Sequence, residues 1–214
     1  MSRWPFVEIT HPQRSPEWHL ARAGRLTGSR AGDVLAKIKT GEAAARRDYR
    51  MQLVTERLTG LPQEDSFVNA AMQRGIDLEP VARAALEARQ GYLIEESGFL
   101  SCTELQAGCS LDGHVEAFEG IIELKCPKSA THLRYLTERT LPKEHRPQVL
   151  HNLLVTGAKW LDFASYDDRF PERLRLWVIR VTADELMQEL YDYEREAQTF
   201  LAEVELDTEK VRKL

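Results

Sequence analysis

Cysteine is scarce: three in 214 residues, at positions 102, 109 and 126, with no CxxC pair. An odd, scattered set argues against a disulfide scaffold and against a four-thiolate metal or iron–sulfur site, and points to a reducing, cytoplasmic compartment. Long apolar runs are missing too. None approaches the roughly 18 residues of a membrane span, and Met1-Ser2-Arg3-Trp4-Pro5 lacks a signal-peptide core. No internal repeat and no Pro/Gly/Ser linker divides the chain, so a single domain over 1–214 is expected. With 43% hydrophobic and 29% charged residues, the composition is that of a globular protein with a real core rather than a disordered one.

What is present is charge, unevenly placed. The formal net charge is −5, yet residues 11–50 hold nine Lys/Arg against four Asp/Glu, and 121–150 hold six against three. Residues 51–120 hold twelve acids against four bases, and Asp184 to Glu209 hold ten against one. A mild global charge therefore leaves room for a polyanionic partner at a basic face, although solvated helix faces explain charge runs equally well.

Local signals divide the chain into elements. Ser15-Pro16-Glu17-Trp18 reads as a helix cap with proline at the first turn. Thr27-Gly28-Ser29 interrupts the pattern, and Ser29 is expected to cap a second helix to about Lys37, where free N–H groups would favour an anion. A third helix is expected from Glu42 to Thr59, stopped by Gly60. A fourth should run from Ser66 to Gln90, kinked or broken at Gly75 and Pro80. Strands are expected at Tyr92–Glu95, from Gly98 to Leu100, over Gln106–Val115, and over Gly120–Cys126, the last two joined by a turn at Glu119-Gly120. Helices follow from Ser129 to Arg139 and Lys143 to Thr156, then strands at Trp160–Tyr166 and Leu174–Val181. A capping box at Thr182-Ala183-Asp184-Glu185 opens a last helix to about Glu203. This order predicts an α/β core, a central mixed β-sheet flanked by helices.

The chemistry concentrates in Ser110-Leu111-Asp112-Gly113 and Ile121-Ile122-Glu123-Leu124-Lys125-Cys126-Pro127. Alternation along a strand puts Glu123 and Lys125 on one face, and a neighbouring strand can bring Asp112 beside them. Two carboxylates this close repel unless a cation lies between them, and hard oxygen donors suit Mg²⁺ or Mn²⁺. Taken alone, Asp-x10-Glu-x-Lys is a weak pattern, for which a cross-strand salt bridge is the plain alternative.

Four segments in order strengthen it: Glu17-Trp18-His19-Leu20-Ala21-Arg22-Ala23-Gly24-Arg25-Leu26-Thr27-Gly28-Ser29, Arg74-Gly75-Ile76-Asp77-Leu78-Glu79-Pro80-Val81-Ala82, the Asp112 to Pro127 stretch, and Pro147-Gln148-Val149-Leu150-His151. Phe163-Ala164-Ser165-Tyr166-Asp167 follows. Together they resemble the phage lambda exonuclease and YqaJ-like viral recombinase family of the PD-(D/E)xK nuclease superfamily, which implies a restriction-endonuclease-like core. The resemblance implies Asp112 and Glu123 as metal ligands with the Leu124 carbonyl, Lys125 orienting the attacking water, Glu79 assisting a second metal, and Gln148 near the nucleophile. It places Arg22, Ser29 and Ser110 at a terminal 5′-phosphate. Lys39 is a candidate loop contact to DNA, and Met72 a candidate strand-separating wedge or an ordinary core residue. The family's second glutamine is absent in Gln148-Val149-Leu150, and a basic contact after Cys126-Pro127 either shifts to Lys128 or is missing.

The implied activity is a Mg²⁺-dependent 5′→3′ exonuclease with two ions, Mn²⁺ being able to substitute. It would digest one strand of linear duplex DNA to 5′-phosphomononucleotides and leave 3′ overhangs for recombination. A homotrimeric ring and a single-strand annealing protein are implied as partners, and no membrane. The competing readings are a restriction- or repair-type endonuclease of the same fold, and a catalytically silent DNA-end-binding module.

Overall fold

The computed structural model describes residues 4–63 and 70–214. The expected start of the fourth helix at Ser66 and the Met1–Arg3 terminus lie outside them. The chain opens with β1 (Phe6–Ile9) and α1 (Pro16–Arg22). The Ser15 hydroxyl accepts from Trp18 N at 3.2 Å, the cap read from Ser15-Pro16. Then come β2 (Leu26–Thr27), a 3-10 turn over Gly28–Arg30, α2 (Ala31–Val34), α3 (Ala44–Thr59) and α4 (Ala70–Gln90). Gly60 ends α3 at φ 69°, the left-handed conformation glycine takes without penalty. The second half holds β3 (Phe99–Cys102), β4 (Ala107–Ser110), β5 (Gly113–Val115), β6 (Gly120–Lys125), α5 (Ser129–Glu138), α6 (Arg146–Thr156), β7 (Trp160–Tyr166), α7 (Glu172–Arg175), β8 (Leu176–Thr182) and α8 (Met187–Arg212).

The strands form two mixed four-stranded sheets, ordered β1-β3-β4-β2 and β5-β6-β7-β8. In the second, β6 runs antiparallel to β5 and parallel to β7, with Lys125 opposite Ser165. One face packs Ile122, Leu124 and Ala164 against Ala82 and Leu86 of α4. The other packs Ile121, Leu161 and Phe163 against Tyr135 of α5 and the α6 residues Val149, Leu150 and Leu153. Among the described residues, no helix is long and apolar enough to cross a membrane.

Several elements differ from the reading of the sequence. Gln106–Val115 is not one strand: it breaks at Leu111–Asp112, and its halves belong to different sheets. Tyr92–Glu95 makes only a single bridge, Glu95 to His114. The fourth helix is not broken at Gly75 or Pro80. Pro80 is exposed and borders an open cleft, where the carbonyl it leaves without an N–H partner can meet water. Ser29 caps nothing: it sits inside the 3-10 turn, its hydroxyl 3.5 Å from Thr27 Oγ1, and α2 ends at Val34. The Thr182–Glu185 capping box forms, with reciprocal bonds of 2.9 and 3.2 Å, but the last helix begins at Met187 and continues to Arg212.

The charge segregation closes on itself. Arg46 on α3 pairs with Glu203 on α8 at 2.6 Å, Arg57 with Glu205 at 2.9 Å, and Arg50 with Asp207. Part of the basic 11–50 segment is thus spent on the acidic tail.

His151 ties α6 to its surroundings. Its Nε2 lies 3.0 Å from Gly108 O, which can only accept, so Nε2 carries the proton and Nδ1 accepts from Tyr193 OH at 2.8 Å. Burial pushes this imidazole down to about 4. Between the ordinary histidine value and about 4 the unfolded chain binds a proton that the native state refuses. The stability is therefore complete above the ordinary value and is lost as pH falls through about 4. Thermal melts from pH 7 to 4.5 should show a falling Tm that flattens in His151→Gln; an equal slope in both removes His151 as the cause.

Candidate active site

Asp112 lies where the chain leaves one sheet for the other. β5 and β6 pair only as far as Gly113 and Ile122, so the next outward amide of β6 has no strand partner. Asp112 takes it: Oδ2 accepts from Leu124 N at 2.6 Å. A residue's N–H and C=O leave an extended strand on the same side, so the Leu124 carbonyl also faces this edge.

Glu123 and Lys125 share one face of β6 and form an ion pair. Glu123 is 1% exposed. Its Oε2 accepts from Asn152 Nδ2 at 3.1 Å, while its Oε1 has only the ammonium. Burial raises the Glu123 carboxyl to about 7, with Lys125 opposing and Asp112 adding to the rise. Burial alone would neutralise Lys125, but Glu123 and Asp112 outweigh it and hold the ammonium well above the ordinary lysine value. Glu79, on α4, is raised by burial and by Asp112, and pairs with Arg83 at 3.1 Å.

A cleft of about 520 Å³ brings together Met72, Glu79, Asp112, Leu124 and Lys125. Met72 is 51% exposed, which removes the core reading. A larger cleft of about 680 Å³ lies between α3 and α8. There Arg46 and Arg50 are already matched by Glu42, Glu203 and Asp207, which leaves little charge for a ligand.

A second cluster surrounds Ser110. Its hydroxyl accepts from Trp18 Nε1 at 3.2 Å and Arg22 Nη1 at 3.4 Å, and the Arg22 guanidinium stacks 4.0 Å from the Trp18 ring centre. Among the described residues, no hydrogen bond joins Ser29 to that set. Its turn packs on α6 so closely that a Cβ on Gly28 would lie 2.5 Å from Asn152 Oδ1 and 3.5 Å from Gln148 Cγ. Gln148 therefore stands beside the Gly28 turn. Lys39 is exposed in the loop between α2 and α3, outside the cleft lining.

Asn152 and Arg14 were not singled out in the sequence. Asn152 is four residues beyond Gln148, on the same helix face, a spacing that could have found it. Arg14 has no comparable signal, because its place depends on a turn that its residue type does not announce.

Among the described residues, no three Asp, Glu, His or Cys side chains are gathered into a ready-made metal cage. Mg²⁺ does not require one: one or two carboxylates suffice, with waters and substrate phosphate completing the shell. The donors here are all oxygen, two carboxylates and a carbonyl, with Glu79 nearby, and they fit that demand.

A family model, the YqaJ-like viral recombinase domain, matches residues 17–159. The chain belongs to this family. The match runs from α1 to just beyond α6 and includes Asp112, at the break between β4 and β5, and Glu123 and Lys125 on β6. Among solved structures, the alkaline exonuclease LHK-Exo from Laribacter hongkongensis is 37% identical, with a TM-score of 0.80 over 93% of this chain and 97% of that one. The same enzyme in complex with dAMP superposes with a TM-score of 0.81 at the same identity. A phage-related exonuclease from Haemophilus somnus 129PT, 14% identical, shares the fold with a TM-score of 0.64 over 87% of this chain and 96% of its own. No curated protein gives a significant match. The YqaJ-like fold is mixed α/β with a restriction-endonuclease-like core, and family and neighbours support a phage-type exonuclease.

Proposed function

We propose that the protein is a Mg²⁺-dependent 5′→3′ exodeoxyribonuclease. It digests one strand of linear double-stranded DNA from a 5′-phosphate end, releases 5′-phosphomononucleotides, and leaves 3′ overhangs for strand-annealing recombination. The observation that carries this reading is the meeting of Asp112, Glu79 and Lys125 at one cleft, with Glu123 buried behind Lys125 and paired to it, built on the break between two sheets.

Asp112, Glu123 and the Leu124 carbonyl, with Glu79 close by, would hold up to two Mg²⁺ ions, which when bound polarise the scissile phosphate and lower the pKa of a water. Lys125, whose ammonium Glu123 and Asp112 favour, would orient the attacking water by its positive field. Asn152 holds Glu123 in place. Arg22, a planar fork fixed against Trp18, and Ser110 offer hydrogen-bond donors to a terminal 5′-phosphate, with Ser29 on the adjoining turn. Binding of that phosphate would set the step size. Met72, exposed at the cleft, would part the strands, and Gln148 lies on the α6 side. Lys39 would reach DNA only beyond the cleft. A homotrimeric ring and a single-strand annealing partner belong to the same proposal, and the dAMP complex of LHK-Exo agrees with a mononucleotide product.

Incubation of linear and closed circular duplex with Mg²⁺ or EDTA tests the reading. Mg²⁺-dependent release of mononucleotides from linear DNA alone is expected. Cutting of the circle would indicate an endonuclease, and binding without cleavage of either form a silent end-binding module.

A further inference from the structure

We propose that Arg14 grips a backbone phosphate of the DNA where it passes Asp112 and Glu79, an assignment that rests on the nuclease reading above.

Arg14 occupies the turn before α1, closed by Ser15 N donating to Pro12 O at 3.0 Å. Its φ is +69°, a left-handed conformation that glycine takes freely and an arginine only against the crowding of its Cβ. A turn needing backbone shape alone is served by Gly or Asn. The side chain therefore calls for a purpose outside the turn.

Its position suggests one. Gln13 Nε2 donates to Leu111 O at 3.4 Å, pinning the turn to the residue before Asp112. Arg14 borders the cleft of about 520 Å³ and also a second of about 500 Å³, and the two meet at Ile76, Glu79 and Asp112. Its charge favours the Glu79 carboxylate, so it stands within electrostatic reach of the acids.

Arg14 is also available. It is exposed, and among the described residues it makes no side-chain hydrogen bond or ion pair. Its neighbours differ: Arg83 is taken by Glu79, and Arg74 by Asp167 and Asp168. A planar guanidinium without a hydrogen-bond partner among the described residues, at the junction of two clefts beside the proposed phosphodiester-cleaving centre, matches a phosphate oxygen pair.

Arg14→Gly removes the side chain yet suits the backbone, so folding is preserved. Arg14→Lys keeps the charge without the fork. Anisotropy of a 5′-phosphorylated duplex, in EDTA and over a salt series, is compared for both variants, alongside Mg²⁺-dependent digestion. Arg14→Gly should weaken binding about tenfold, as expected for a charged hydrogen bond, and lower the slope of log Kd against log salt by about one. Arg14→Lys should regain the slope and part of the affinity. A wild-type protein that binds and digests normally, beside an Arg14→Gly with unchanged affinity and slope, overturns the Arg14 assignment alone. A wild-type protein that neither binds nor digests duplex overturns the nuclease reading and this assignment together.

Discussion

Asp112→Asn should lose Mg²⁺-dependent hydrolysis by about a thousandfold or more, the several kcal/mol that a properly held cation contributes. The substitution is conservative in shape. An asparagine carbonyl oxygen can still accept from the Leu124 amide, so the bond between the crossover and β6 survives. What disappears is the negative charge. The same loss relieves Glu79 and Glu123, both of which feel Asp112 as a repulsion. In the absence of metal the variant should therefore melt no lower than wild type. Activity and melting temperature measured together separate the two effects. Normal turnover by Asp112→Asn would remove Asp112 from the machinery, and a collapsed melting temperature would show that its role is to hold the sheets.

Arg22→Ala should slow digestion of 5′-phosphorylated ends by roughly tenfold to a hundredfold, the range of a charge-assisted hydrogen bond. Ends bearing a 5′-hydroxyl should be affected far less. The guanidinium is held flat by the Trp18 ring at 4.0 Å and by Ser110 at 3.4 Å, so little freedom remains to be lost on binding. Arg22→Lys should recover only part of the discrimination, since an ammonium offers no planar fork. Equal slowing on both ends would show that Arg22 supports packing and does not read the phosphate.

Much of the second sheet and its helices was legible from sequence because the signals are local. Ser15-Pro16, Gly60 and Gly157 mark helix ends by their own conformational preferences, and β6, β7 and α6 carry mostly apolar stretches of the right length. Non-local features were not legible. β1 exists only through its pairing with β3, some ninety residues away, and exposes Val7. The exchange of sheets at Leu111–Asp112 left no trace, because both flanking strands are buried and the pattern runs straight through. At the site, the Glu123–Lys125 face followed from strand alternation. Asn152 required knowing that α6 packs beside Glu123, and Arg14 that its turn is pinned to Leu111. The expected cap at Ser29 did not form, because Ser29 lies inside the 3-10 turn that runs into α2 and not ahead of it.

Asp112 is fastened to both sheets at once, through its main chain to β4 and β5 and through its carboxylate to β6. Because that carboxylate is bonded to the residue next to Glu123 on β6, its distance from Glu123 is set by β6 itself and is insulated from slippage of one layer over the other.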